Sequence, residues 1–525
     1  MHVYPSQEIL IPLYVILERP GPKKLVPQWE EMKIVQCAAE FAPVVKVGGL
    51  GEVVVGLSRE LARKGETVEI LIPKYDCLNL NNISSLKMEV PNFQCMEKGI
   101  SHPNTMWSGT SAECSLHLLE ARHPAGYFHR GVVYQGIEDV QRFLYFSRAC
   151  LEYLRHKNEP IDILHLHDWH VAAVAVLAKT LLRLPIRAIV LTLHNAEYQG
   201  RCASWDLDAI GLKGINYLTP EALQDDDPAC PQTINLLKGG IVYADAVNTV
   251  SPTYAKELLA RKKDHFPLNA TLYKYRSKLS GILNGIDAKL WNPSQDPALP
   301  KTYSAESSIQ TLLSAKQAAR QVIQKRFGLS ENHRPWIGSI TRLVPQKGPE
   351  LLEEGLHQTL ALGGSFLLLG SSPVPTLQAH FDQLKKLFAQ HTQVLLHYEY
   401  DETLSHQLYA ALDFFLIPSH DEPCGLTQLI AMRYGTLPVV HATGGLKDTV
   451  FDCEDASIPR NQRNGFVFQP AHKQNVTHTL QRAIHHFRSD PTTLQTMMQR
   501  NMQINSSWQG PTQAYLRLYR NLMRF

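Results

Sequence analysis

The chain lacks a C-x-x-C pair among its nine cysteines, Cys37, Cys77, Cys95, Cys114, Cys150, Cys202, Cys230, Cys424 and Cys453. Their number is odd and several sit in apolar runs. Reduced, mostly buried thiols fit this better than a disulfide framework. No apolar stretch reaches the ~18 residues needed to cross a membrane; the best, residues 9–17, is shorter and carries Pro12 in its middle. That segment also lacks the positive flank and small-residue cleavage site of a secretory leader. No run of basic residues occurs. Lys+Arg 52 against Asp+Glu 49 leaves a net charge of +3, which disfavours a nucleic-acid partner. Charged residues are 19% of the chain and hydrophobic ones 44%, excluding a disordered chain, a coiled coil and a collagen-like fibre. What is left is a soluble, cytoplasmic globular protein, with no membrane partner. Its 525 residues suffice for two large domains or three ordinary ones.

Residues 1–31 are broken by Pro20, Pro22 and Pro27 and sustain no period, so they read as a loose extension. A strand begins at Met32. Beyond it, short Val/Ile/Leu-rich runs at 68–73, 161–167, 188–194 and 246–250 alternate with helical patterns at 52–64, 140–155, 171–182 and 234–244. A second series of strands (336–340, 365–369, 393–397, 414–418, 438–441) alternates with helices near 349–362, 375–390, 404–411, 426–434 and 473–487. This order predicts α/β architecture: two Rossmann-like, doubly wound domains facing across a deep inter-domain cleft. The boundaries predicted are 32–268 for the first domain and 269–500 for the second, with residues 501–525 as a last helix crossing back to the first. The joints Gly48-Gly49-Leu50 and Gly444-Gly445-Leu446 echo each other after a strand.

The chemistry-bearing residues gather where strands end. At Lys46-Val47-Gly48-Gly49, adjacent glycines let bare backbone N–H groups approach an anion at a helix N-terminus; the alternative is a tight turn needing positive φ. The joint is neither a P-loop nor a G-x-G-x-x-G. His165-Leu166-His167-Asp168-Trp169-His170 invites a metal. Zinc sites space their ligands differently, so a hydrogen-bonded polar edge is favoured, with helix capping by Asp168 as the plainer reading. His194-Asn195 closes the next strand. Arg342 and Lys347 offer two fixed cations, as a diphosphate requires, and solvated loop charges are the alternative. Glu422-Pro423-Cys424-Gly425-Leu426-Thr427 places a carboxylate before free helix N–H groups, an acceptor for sugar hydroxyls beside a phosphate site. Cys424 reads as packing rather than a nucleophile. Asp206-Leu207-Asp208 resembles a metal-binding D-x-D, but lacks a clear flanking strand.

Taken together, these motifs resemble the bacterial glycogen synthases and plant starch synthases from about Met32 to the C-terminus. The resemblance also covers Leu237-Lys238 with Gly240, Ser251-Pro252-Thr253-Tyr254, and Leu283-Asn284-Gly285-Ile286-Asp287. It implies a GT-B fold and transfer of glucose from ADP-glucose to the non-reducing end of glycogen or another α-1,4-glucan, with retention and without metal or cofactor. Carried over, Arg342 and Lys347 hold the diphosphate, with help from the Gly48-Gly49 backbone and the Gly425, Leu426 and Thr427 amides. Lys46 lies close to the donor, and Asn284 and Cys424 join the substrate-binding set. Glu422 binds glucose hydroxyls, separated from the two cations across the sugar. His194 contacts the reacting sugar, Asp168 sits on the acceptor side, and Tyr400 stacks on the base. Domain closure excludes water.

The sequence departs from the family at three places. His420-Asp421 stands for the usual Arg-Phe, Glu52 for Asp, and His441 for Arg. Asp421 beside Glu422 predicts weaker donor binding or altered donor preference. Asp421→Phe should tighten donor binding; an unchanged donor KM would count against the idea. A UDP-glucose-using relative and a non-catalytic glucan-binding protein on the same fold are the alternatives.

Overall fold

The computed structural model describes residues 31–524 except 137, 262–265 and 332. The extension expected over residues 1–31 lies, but for Glu31, outside the described residues. The chain divides into two compact units, one of residues up to Gly285 plus Trp508–Phe525, the other Ile286–Ser507. The boundary read at 268/269 thus falls inside the first unit. Residues after 268 supply a strand at the edge of its sheet, and that pairing assigns them.

The first unit is built on β1 (Lys33–Cys37), β2 (Thr67–Pro73), β3 (Ser84–Glu97), β4 (Ile100–Ser111), β5 (Cys114–Ala121), β6 (Ile161–His167) and β7 (Ile186–Leu193). A two-stranded ribbon of β8 (Arg201–Ala203) and β9 (Thr233–Asn235) follows, then β10 (Ala246–Thr249) and β11 (Leu279–Gly281). The main sheet runs β11-β10-β7-β6-β1-β2-β5-β4-β3. It is parallel except where β4 pairs with β3 and β5. The parallel strands are apolar and buried, as helices on both faces require. The antiparallel wing of residues 84–121 is absent from the sequence reading. Its β3 strand is largely exposed and polar, so it carries no continuous apolar signal.

The second unit holds β12 (Trp336–Ile340), β13 (Ser365–Leu369), β14 (Val394–His397), β15 (Phe414–Ile417), β16 (Leu437–His441) and β17 (Phe466–Phe468). All its pairings are parallel, in the order β14-β13-β12-β15-β16-β17. The predicted strands match within two residues. The helices Ile309–Phe327 and Pro491–Gln503 are additional to those predicted from the sequence pattern.

In each sheet the chain winds outward from a central strand, then returns to its other side. The switch lies between β1 and β6 in the first unit and between β12 and β15 in the second. Ligands of such sheets bind at the carboxyl ends of strands flanking the switch.

Candidate active site

The first switch point places the loop after β1 beside the residue after β6. Asp168 follows β6 with φ +63 and ψ −176, a conformation essentially reserved for glycine. Its carboxylate makes no cap of the following turn. It reaches across to the end of β7 and accepts from the His194 backbone N–H at 2.7 Å and that of Asn195 at 3.4 Å. Burial pushes the Asp168 carboxyl up to about 7, against those two donors.

His194 lies behind that bond, its Nε2 3.0 Å from His167 Nδ1. His167 Nε2 is 2.8 Å from Gln36 Oε1 on β1. His165, two residues before His167 and on the same strand face, lies against it with ring centroids 4.3 Å apart and the rings tilted by 35°. Its Nε2 meets Thr192 Oγ1 at 2.6 Å and its Nδ1 the Tyr519 hydroxyl at 2.7 Å. Both ring nitrogens of His165 and His167 are therefore used within a buried network. Burial lowers His165, His170 and His194 to about 3, so their rings are neutral at pH 7.

The glycine joint departs from expectation. Gly48 has φ −142, so no positive φ is needed there, and a Cβ on it would meet nothing. Its N–H is not bare. The Glu40 carboxylate accepts from Val47 N–H at 2.7 Å and Gly48 N–H at 3.0 Å, and from the Tyr134 hydroxyl at 2.6 Å. A carboxylate already beside those amides takes the anion's place. Lys46 pairs with Glu52. Asn284, near the end of the unit, is buried, and its Oδ1 has no hydrogen-bond partner among the described residues.

At the second switch point the loop after β12 meets the loop after β15. Lys347 Nζ lies 2.7 and 2.6 Å from the two oxygens of the buried Glu422. The expected separation of this cation from the carboxylate is thus corrected. Opposite charges brought together half out of water pair directly. Ser419 Oγ donates to Glu422 at 2.8 Å, and His441 Nδ1 lies 2.7 Å from the Ser419 carbonyl. Arg342 is exposed at the end of β12. The His420 and Asp421 N–H groups donate to the Gln346 carbonyl at 2.9 and 3.4 Å, tying the two loops together. Cys424 is buried, Gly425 has φ +70, and Leu426 and Thr427 open a helix without a side-chain cap. The second glycine joint closes over this loop. Gly445 N–H donates to the Glu422 carbonyl at 3.1 Å, and a Cβ at Gly444 or Gly445 would overlap the backbone of residues 422 and 424. Tyr400 is 85% exposed.

Other sequence candidates do local work. Asp206 and Asp208 accept from the backbone N–H groups of Ala203 at 3.0 Å and Gly214 at 2.8 Å. No disulfide forms among the described residues, which include all the cysteines, and Cys37, Cys95, Cys114, Cys150 and Cys424 are buried. Glu97, His102 and His123 bring metal-ligand types together, but both Glu97 oxygens are taken, by the Tyr127 hydroxyl at 2.7 Å and His123 Nε2 at 2.8 Å. Glu454, clustered with Cys453 and His486, already pairs with Arg482 at 2.7 Å. Gln36, Ser58 and Glu40 were not among the sequence candidates. Gln36 alone left a trace, as a polar residue inside an apolar strand.

Two α/β units, each with charged groups at the switch point of its sheet, are the architecture of the GT-B glycosyltransferases. The family model for glycosyl transferases group 1 matches residues 321–501, and that for the starch synthase catalytic domain matches residues 33–274. A sucrose-phosphate synthase from Thermosynechococcus elongatus shares the fold, with a TM-score of 0.60 at 18% identity over 94% of this chain and all of that one. A glycogen synthase from Protochlamydia amoebophila is 42% identical, covering 93% of this chain and 99% of that one. The probable starch synthase 4 of Arabidopsis thaliana is 43% identical over 93% of this chain, which spans only 46% of that longer relative. Its kin in the solved structures, the Arabidopsis starch synthase IV catalytic domain bound to ADP and acarbose, has a TM-score of 0.90 at 42% identity, covering 94% of this chain and 100% of that one. The chain belongs to the glycogen and starch synthase family.

Proposed function

We propose that this chain transfers glucose from ADP-glucose to the non-reducing end of an α-1,4-glucan, retaining configuration at the sugar and using no metal ion. The Lys347–Glu422 pair at the switch point of the second sheet, with Arg342 on the same loop as Lys347, carries this reading. Departure of a diphosphate builds negative charge on phosphate and positive charge on the sugar. Arg342 and Lys347 answer the first, Glu422 the second. Lys347 has three ammonium protons; two rest on Glu422 and one remains for a phosphate oxygen. The Gly425 to Thr427 amides add helix N-terminal donors. Tyr400 stacks on the base. His194 meets the reacting sugar and Asp168 the acceptor side. A relative solved with ADP and acarbose supports an adenosine diphosphate donor.

The test is incorporation of labelled glucose into glycogen from ADP-glucose and UDP-glucose in parallel, in excess chelator, for the natural chain and Glu422→Ala. Incorporation from ADP-glucose that survives the chelator and disappears in the variant is expected. Preference for UDP-glucose would overturn the donor. Loss in chelator would overturn the metal-free mechanism, and no incorporation from either donor would overturn the enzyme.

A further inference from the structure

A line of hydrogen bonds in the first unit ends on His194, and its protons can be placed one by one. Ser58 Oγ lies 2.6 Å from the Val54 carbonyl, one helical turn back, and donates to it, because a carbonyl has no proton to give. Ser58 has one proton, so toward Gln36 it accepts, and the Gln36 amide donates from Nε2 at 2.9 Å. The amide is thereby oriented with Oε1 toward His167, which must donate from Nε2 at 2.8 Å. His167 is fully buried among other imidazoles and stays neutral. With its proton on Nε2, its Nδ1 accepts. The group facing that Nδ1 at 3.0 Å is His194 Nε2, which therefore carries the His194 proton. His194 is neutral as well.

We propose that Gln36, oriented by Ser58, is a positioning residue that fixes His194 as its Nε2–H tautomer through His167, so that His194 offers a bare Nδ1 to a sugar hydroxyl. The reverse setting needs every proton in the line to move and the Ser58 hydroxyl to turn away from Val54. The helix that holds Ser58 opens at the glycine joint, and β1 and β6, which hold Gln36 and His167, flank the switch. One rigid block thus carries both the loop and the proton setting. An acceptor at this place selects a sugar with a hydroxyl there and rejects one with a carboxylate or a hydrogen, which leaves Nδ1 repelled or unpaired. This consequence for transfer rests on the synthase reading; the proton placement does not.

The decisive measurement is a long-range 1H–15N spectrum of the full chain labelled with 15N-histidine, at about pH 8, above the ordinary histidine range. The His194 signals are identified by their loss in His194→Gln. A protonated Nε2 and bare Nδ1 are expected. A protonated Nδ1, or an imidazolium pattern, overturns the proposal whether or not the chain transfers glucose. In Gln36→Leu, shown to be folded by its thermal transition, mixed tautomers and a turnover about tenfold lower are expected, with donor KM changed less than about twofold. Ser58→Ala should fall between. A folded Gln36→Leu with wild-type turnover and tautomer overturns the proposal, and if that variant does not fold the wild-type spectrum still decides.

Discussion

Asp168 combines a backbone conformation that other residues avoid with a buried carboxyl held near 7. Both cost stability, and such costs concentrate where a site needs them. The folded value lies above the ordinary 3.8, so the ionised group disfavours folding above pH about 4, in full above about 7. Asp168→Asn keeps an oxygen for the His194 N–H and removes the charge. Its Tm should exceed that of the natural chain at about pH 8 and lose the advantage near pH 4, read by calorimetry. In the proposed transfer, the natural chain should show an acid limb in kcat/KM near 7 that the Asn variant lacks. A limb that persists assigns the titration to another group. Gly445 sets the other residue-scale constraint. Alanine there must displace the Cys424 carbonyl and with it the loop that carries Glu422. A shift of about 1 Å at a reacting group costs on the order of 100-fold in rate, so Gly445→Ala should lose turnover by about that factor while still folding.

At the scale of elements, the last helix is the piece that ties the chain's end to the first unit. Trp508 lies over Gly56, where any Cβ would overlap its indole. The helix Gln509–Leu522 then sends Tyr519 to His165 Nδ1 at 2.7 Å and Tyr515 to Asn248 Nδ2 at 3.0 Å, both in the core. These hydroxyls close the polar network under His194, so the helix holds the site from below. Tyr519→Phe leaves a buried imidazole nitrogen unpaired and should cost about 1–3 kcal/mol in urea unfolding. Gly56→Ala forces the indole out of a packed position and should cost about 1–3 kcal/mol in the same measurement.

At the scale of the whole molecule, four desolvated histidines around the first switch point shape the response to acid. His165, His170 and His194 are lowered to about 3 and His167 well below its usual value, against 6.5 in an unfolded chain. The unfolded chain therefore binds more protons below about 6.5, and stability, complete above that pH, is lost as pH falls toward 3. Asp168 opposes this between about 7 and 4, one group against four. Tm should fall steeply from about pH 6 to 4, and a flat profile there would show that the imidazoles ionise without unfolding.

The parallel strands and the order of helices were readable because buried strands are continuous apolar runs and their joints are punctuated by glycine. The family was readable because its motifs are local words at strand ends. Arg342, Lys347 and Glu422 could be named as candidates before any geometry for the same reason, and so could Asp168 and His194. The partners that hold them could not. Gln36, Ser58 and Tyr519 lie far along the chain from the residues they support, and only sheet register and helix packing bring them together. The two glycine joints make the point most plainly. By sequence they are the same three letters. Folded, Gly48 stands in open space with its N–H on Glu40, while Gly444 and Gly445 press on the backbone of the Glu422 loop. Letters determined where the turns fall, because backbone preference is local. Tertiary structure decided which turn is crowded and which carboxylate meets which cation, because those depend on what the other strands bring beside it.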